Sequence, residues 1–152
     1  MPTNADTLTR GDTWVVVANA SRADIYSRQK KHGPLEVVQC LTEDKARAKE
    51  RDLVADEPGR SFDSVGQGQH TMEPQHTEKD RLLTGFARRI AHVLESARQA
   101  ERFGRLVIVA APAMLGELRH QLDDVTAQHV TAEFSKELTD RDPETLAKLL
   151  DS

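Results

Sequence analysis

Two short apolar segments constrain the fold of this chain more than any other feature of its sequence. They are Thr13–Ala18 and Arg105–Ala110, which read TWVVVA and RLVIVA and are each bounded by polar or turn residues. Short runs of β-branched and apolar residues are typical of strands buried on both faces, which occur where helices cover both sides of a sheet. The two segments therefore predict an α/β domain in which they form the central strands.

The segments that follow the first strand predict an antiparallel meander. Ala23–Arg28 and Leu35–Leu41 have the composition of strands, and only short turn-like links separate them from each other and from the first strand. Farther along, apolar residues recur every three or four positions from Leu82 to Ala97, which is the spacing of a long amphipathic helix. We therefore expect three strands and then this helix.

The rest of the chain predicts two parallel crossovers and a final helix. Pro112–Leu122 is expected to be a helix, His129–Phe134 a strand, and Pro143 the start of the last helix. The expected order, βββ-α-β-α-β-α, is that of a ribonuclease H-like three-layer α/β domain with a mixed five-stranded sheet. A doubly wound flavodoxin-like sheet is the alternative. It requires a helix between the first two strands, where only four turn-like residues stand.

Length, charge and hydropathy limit the number of domains, the partners and the location that we expect. The chain has 152 residues, and we expect one domain over 13–152 after a disordered segment at 1–12. The net charge of -4 gives no general attraction to nucleic acid, so DNA is not expected as a partner. No stretch approaches the about 20 apolar residues of a membrane span, so we expect a cytoplasmic protein without membrane insertion. The single cysteine, Cys40, is expected to be a buried, inert thiol.

A long polar segment precedes the amphipathic helix. Residues 43–76 lack apolar periodicity and predict a loop, with part of Glu43–Leu53 as a short exposed helix. Its candidate functional residues combine glycines, which allow close backbone approach, with glutamines, which both donate and accept hydrogen bonds. These residues are Gly66, Gln67, Gly68 and Gln69. A flexible surface loop explains the same residues without a function.

The sequence gives little support for a metal site or a catalytic nucleophile. A ribonuclease H-type nuclease holds divalent ions with carboxylates at strand ends, but the first strand ends in Asn19 and Arg105–Ala110 contains no acid. His70, Glu73 and His76 have helical spacing for zinc, but Pro74 interrupts a helix there, so a solvated loop is the preferred interpretation. Nucleotide-binding glycine loops and a serine nucleophile elbow are missing. We expect no metal and no cofactor.

Two groups of basic residues are candidates for a phosphate-binding patch. One is Lys45–Arg51 with Arg60, and the other lies near the long helix at Arg88, Arg89, Arg98, Arg102 and Arg105. A solvated surface of mixed charge is the simpler expectation, unless the two groups converge in space. The candidate binding residues are Arg60, Ser61, Arg88 and Arg89.

Four motifs, in order, resemble the bacterial host-attachment protein family. They are Trp14–Tyr26, Gly59–Ser64, Phe86–Ile90 and Ala110–Arg119, and together they cover nearly the whole chain after the first dozen residues. The resemblance implies a requirement for attachment to host cells, which is a phenotype rather than a chemistry. Asn19 departs from the acid expected at the end of the first strand, which weakens any role for a carboxylate there.

The resemblance also implies kinship with the middle domain of eukaryotic and archaeal class-one release factors. In that domain a Gly-Gly-Gln loop helps water cleave peptidyl-tRNA, and Gly66–Gln69 stands at a comparable place, with Gln67 between the glycines. Our leading hypothesis is a non-enzymatic cytoplasmic interaction protein with an unknown protein partner, needed indirectly for attachment. The alternative is a release-factor-like rescue protein on the ribosome. There Gln69 would position the water, and Arg60, Arg88 and Arg89 would meet RNA phosphates.

Overall fold

The computed structural model of this protein describes residues 12–151, with side chains described for residues 12–49 and 78–151. The segment 1–12, expected to be disordered, lies outside this part of the chain except for Asp12. The described elements, in chain order, are β1 (Thr13–Ala18), β2 (Arg22–Arg28), β3 (Glu36–Thr42), α1 (Asp44–Gln99), β4 (Arg105–Ala110), α2 (Pro112–Gln121), α3 (Asp124–Ala127), β5 (Val130–Ser135) and α4 (Pro143–Asp151).

The strands form one mixed sheet in the order β3-β2-β1-β4-β5. β2 is antiparallel to both β1 and β3, whereas β4 is parallel to both β1 and β5. An α/β fold with a mixed five-stranded sheet is thereby confirmed. The doubly wound alternative is wrong, because the short link between β1 and β2 leaves them antiparallel.

The short helix α3 is absent from the predicted element order. It begins after Asp123, whose side chain caps the helix by accepting a hydrogen bond from the Thr126 backbone N–H at 2.8 Å. One turn of helix is too short to show apolar periodicity, so the sequence pattern could not reveal it.

The helix α1 begins earlier than predicted. It runs over Asp44–Gln99, whereas the sequence predicts a loop across 43–76, and most of that predicted loop falls on residues 50–77, whose side chains are not described. The segment contains many Ala, Lys, Arg, Glu and Gln residues, which favour helix by intrinsic propensity. A lack of apolar periodicity predicts only that no helical face is buried.

The two described ends of α1 lie side by side. The Lys49 ammonium is 3.2 Å from the Glu78 carboxylate, although one straight helix would separate these residues by about 40 Å. The Arg89 guanidinium also donates to the Thr42 carbonyl at 3.0 Å and lies 3.8 Å from the Glu43 carboxylate. We call residues 44–49 the first arm and residues 78–99 the second arm.

The second arm and α2 cover one face of the sheet. Alternate residues of β1 point to this face, among them Trp14 and Val16, and they pack against the second arm. The fully buried residues of the arm are Phe86, Ala87, Ile90 and Leu94, and α2 contributes Met114, Leu115 and Leu118. The periodicity that predicted an amphipathic helix here is confirmed.

The other face of the sheet is covered by α4 and by the chain that leads into it. Val15 and Val17 of β1 point to this side and pack with Leu138 and Leu146. Helices thus lie on both faces of the sheet, which gives three layers and explains why β1 is buried on both faces.

The last residue of α4 is anchored to the turn between β2 and β3. The Arg28 guanidinium binds both carboxylate oxygens of Asp151, at 3.1 and 3.2 Å, and also donates to the Gly33 carbonyl. The His32 ring lies 3.1 Å from the same carboxylate. These bonds, chiefly the one from Arg28, hold the pKa of Asp151 below its usual value. The ion pair therefore fixes the end of α4 over the second face.

We predict that Leu146→Ala destabilises the protein far more than Leu149→Ala. Leu146 is fully buried against the sheet and Leu149 is 44% exposed on the same helix. Truncation of a buried leucine costs about 2–5 kcal/mol, because it removes apolar contact and leaves a cavity. Urea unfolding of both variants measures the difference. Equal losses would show that α4 does not pack as described.

We also predict a pH-dependent effect of Asp151→Asn. A carboxyl group whose pKa is lowered on folding stabilises the native state above its unfolded pKa of about 4, and this stabilisation is lost as the pH falls through the folded pKa. The variant should therefore be less stable than wild type at pH 7 and should approach it below about pH 4. Urea unfolding over this pH range measures the difference.

Asp140→Asn is the matched control, because Asp140 is 81% exposed beside Arg141 and should contribute little at either pH. A constant difference between Asp151→Asn and wild type over the whole pH range would contradict the ion pair.

Candidate functional site

The carboxyl ends of β1 and β4 lie together at one edge of the sheet. The chain leaves β1 toward β2 and leaves β4 in the other direction, through α2 toward β5. In open α/β sheets such a reversal of strand order opens a crevice, which is the usual place for a ligand. The Ala111 backbone N–H donates to the Ala18 carbonyl at 3.1 Å and holds the two strand ends together.

Asn19 stands at the end of β1 with its whole side-chain amide engaged. Its carbonyl oxygen accepts hydrogen bonds from the backbone N–H groups of Ser21 and Arg22, both at 2.9 Å. Its amide nitrogen donates to the Glu137 carboxylate at 2.9 Å and to the Thr139 hydroxyl at 3.1 Å. The Ser21 hydroxyl also donates to the carbonyl oxygen at 3.3 Å, so both amide protons and the amide oxygen have partners. Asn19 thus fixes the turn into β2 and binds a distant segment.

That distant segment, residues 136–142, crosses the ends of the central strands. The Lys136 backbone N–H donates to the Ala110 carbonyl at 3.0 Å, and Thr139 is buried beside Asn19. At its far end Asp142 caps α4 by accepting from the Thr145 backbone N–H at 2.7 Å. The protein's own chain therefore crosses the crevice between the strand ends and is hydrogen-bonded to both strands' ends.

A second polar cluster lies on β2 and β3. Asp24 is buried, accepts a hydrogen bond from the Arg22 guanidinium at 3.2 Å, and stands opposite Cys40 in the sheet. The hydrogen bond to Asp24 raises the pKa of Arg22. Desolvation of the side chain, and then Asp24, raises the pKa of both Cys40 and Tyr26. For Cys40 this desolvation is partial, because the residue is exposed. The thiol and the phenol therefore stay protonated at neutral pH and are poor nucleophiles.

The expectation of a buried Cys40 is wrong. Cys40 is exposed on β3, which is an edge strand of the sheet. The apolar run Val37–Leu41 suggested burial, but an edge strand buries only part of its surface, and Val37 is 65% exposed.

The basic residues predicted to bind phosphate are brought together only in part. Contact between Lys49 and Glu78 places the first arm beside the second, and the lysine there pairs with a carboxylate rather than with a group that could extend a phosphate site. Arg88 is exposed on the second arm. Arg89 is held by Thr42 and Glu43 and lies over the Phe86 ring at 5.3 Å, so it packs the arm against β3.

The other arginines near the helix have structural contacts. Arg98 donates to the Thr126 hydroxyl at 2.9 Å, and Arg102 lies over the Trp14 ring at 5.1 Å. The candidate residues Arg60 and Ser61, the loop residues Gly66, Gln67, Gly68 and Gln69, and the trio His70, Glu73 and His76 lie outside the residues whose side chains are described.

Sequence reasoning did not find the partners of Asn19. An asparagine directly after a strand is a signal for a side-chain turn, and that turn was expected. Glu137 and Thr139 lie more than a hundred positions away, and no local pattern connects them to it.

In the described part of the chain, no group of three or more His, Cys, Asp and Glu side chains is arranged to hold a metal ion. None of the described helices is long and apolar enough to cross a membrane.

Residues 14–150 match the sequence model of a family described as "protein required for attachment to host cells". The chain belongs to this host-attachment family. No curated protein matches the chain in sequence. The match covers the whole sheet except Thr13 and all of the covering helices except Asp151, so the sequence resemblance to this family is confirmed over these residues.

In this member of the host-attachment family, we predict that Asn19→Asp is more harmful than Asn19→Ala at neutral pH. The alanine variant loses the hydrogen bonds of a half-buried amide, at a cost of about 1–2 kcal/mol. The aspartate variant also places a second carboxylate against Glu137, and like charges repel. The additional loss should shrink below about pH 4, where carboxyl groups take up protons.

Urea unfolding at pH 7 and at lower pH measures this difference. Gln39→Glu, the same amide-to-carboxylate change at an exposed position of β3, is the matched control and should have little effect. An Asn19→Asp variant as stable as wild type at pH 7 would show that the amide is not needed as a donor.

Proposed function

We propose that this chain is a non-enzymatic protein of the cytoplasm that binds a protein partner. Attachment to host cells depends indirectly on this interaction. The observation that carries the proposal is the chain that crosses the crevice at the ends of β1 and β4. Residues 136–142 cross the position in which open α/β sheets usually bind a ligand, and Asn19 binds that segment through its amide.

The proposed fold class strengthens this argument. We propose that the domain is ribonuclease H-like, on the basis of three antiparallel strands followed by two parallel crossovers. A nuclease of that class needs carboxylates at its central strand ends to hold two divalent ions. Here Asn19 directs its N–H donors toward Glu137, and β4 ends in Ala110, so these positions serve packing.

The remaining reactive groups also favour a binding role. Tyr26 and Cys40 have raised pKa values, chiefly because of desolvation, and the buried carboxylate of Asp24 is occupied by Arg22. A nucleophile needs a base that activates it or a lowered pKa. The described residues therefore offer surface for recognition rather than an activated group.

The release-factor-like alternative depends on Gly66–Gln69, whose side chains are not among those described. No contact of the described residues favours peptidyl-tRNA hydrolysis, and the alternative stays a prediction from the sequence.

The proposal is tested by deleting the gene and counting bacteria that adhere to cultured host cells. Deletion should lower adhesion, and expression of the wild-type chain inside the cell should restore it. Purified protein added to the medium should not restore it, because the proposed effect is indirect. Unchanged adhesion after deletion, or rescue by added protein, would contradict the proposal.

Two conservative variants test the non-enzymatic part. Tyr26→Phe and Cys40→Ser each remove one reactive group with little change in shape, and both should restore adhesion as fully as wild type. Loss of complementation by either variant, at a normal protein level in the cell, would indicate that its hydroxyl or thiol takes part in a reaction.

A further inference from the structure

The outer face of the second arm carries a line of basic side chains. Arg81, Arg88 and His92 are exposed and stand on the side of the helix opposite the buried residues Phe86 and Ile90. A separation of seven residues is two helical turns, which places Arg81 and Arg88 about 10 Å apart along the axis. With Gly85 between them, we call Arg81, Gly85, Arg88 and His92 the basic stripe.

The two arginines of the stripe differ from most others in the described part of the chain. Six described arginines form ion pairs with carboxylates: Arg22, Arg28, Arg89, Arg98, Arg119 and Arg141. No described carboxylate lies within ion-pair distance of Arg81 or Arg88. Among the described side chains, their positive charge therefore has no carboxylate partner, although the chain as a whole is acidic.

Gly85 adds an independent observation at the centre of the stripe. A Cβ atom at this position would meet nothing within 4 Å, so packing does not require a glycine. A glycine inside a helix costs about 1 kcal/mol relative to alanine, because it loses more backbone freedom on folding. Its effect here is to leave a shallow place on the helix, where another backbone can approach closely.

We propose that the basic stripe binds an acidic helical segment of a partner protein, which crosses the second arm at Gly85. Carboxylates seven residues apart on that segment would match Arg81 and Arg88, because both helices have the same rise per residue. Each guanidinium can then bind a carboxylate through two parallel hydrogen bonds. The proposal rests on the proposed interaction function and names the chemistry of the partner.

An acidic helix fits the stripe better than a nucleic acid does. Affinity for a phosphate backbone grows with the number of phosphates neutralised, and the stripe offers only two arginines and one histidine on a chain of net charge -4. A flat glycine between two arginines also suits the close crossing of a second helix, for which a bulky side chain would be an obstacle.

The test uses a fluorescent, alanine-rich helical peptide with two glutamates seven residues apart, titrated with the full chain at low and physiological salt. The wild type should bind in a salt-sensitive way. The double variant Arg81→Gln/Arg88→Gln should bind about tenfold more weakly, as expected for the loss of two partly exposed ion pairs. A control peptide has the same composition but carries its glutamates nine residues apart, on opposite faces of its helix. It should bind the wild type no more tightly than the first peptide binds the double variant.

Gly85→Leu tests the crossing point without changing charge, and it should weaken binding by a similar factor. Gly116→Leu is its matched control, because Gly116 is also half-buried within a helix and a Cβ there meets nothing within 4 Å. This control should bind the peptide as wild type does. Unchanged affinity of Gly85→Leu, or no binding by the wild type, would overturn the proposal.

Two further outcomes separate this proposal from its alternatives. Tighter binding of polyuridylate RNA than of the peptide, lost in the same variants, would assign the stripe to nucleic acid and overturn the proposal. In the deletion strain, full adhesion with Arg81→Gln/Arg88→Gln would also overturn it, while leaving the interaction function intact. Unchanged adhesion of the deletion strain would instead contradict the proposed function, whatever the result of the peptide titration.

Discussion

The burial of β1 on both faces determines where the other elements lie. A strand of Trp, Val and Ala has no polar side to expose, so apolar layers must cover it above and below. The second arm and α2 supply one layer, and α4 with the chain before it supplies the other. Both layers depend on polar contacts at their margins: Arg89 ties the arm to β3, and Arg28 ties the end of α4 to the β2–β3 turn.

The same burial explains why the strand ends need Asn19. Where β1 stops, the backbone N–H groups of the next turn no longer have partners in the strand ladder and need other acceptors. The amide oxygen of Asn19 accepts from two of these N–H groups, and its nitrogen donates to residues 136–142, which lead into α4. The side chain of Asn19 thus connects the end of β1 to residues 136–142, and this segment crosses the crevice between β1 and β4.

The parts of the fold that were predictable are those with a local pattern. β1 and β4 are continuous apolar runs, and the buried side of the second arm repeats at helical spacing, so their positions follow from sequence. The arrangement of the two arms does not, because it depends on contacts such as Lys49 with Glu78 across about thirty positions. At the candidate site the Asn19 turn was visible in the sequence, whereas Glu137 and Thr139 were not. The exposure of Cys40 was missed because composition cannot distinguish an edge strand from a central one.

The neighbouring arms of α1 give the chain a property that its core does not have. An ion pair between Lys49 and Glu78, at 3.2 Å, joins the first arm to the second, and neither residue belongs to the sheet. Both side chains are 48% exposed, so this ion pair contributes little to stability and is weakened by salt. The contact between the two arms therefore depends on ionic strength, whereas the packing of the second arm against the sheet, which is apolar, does not.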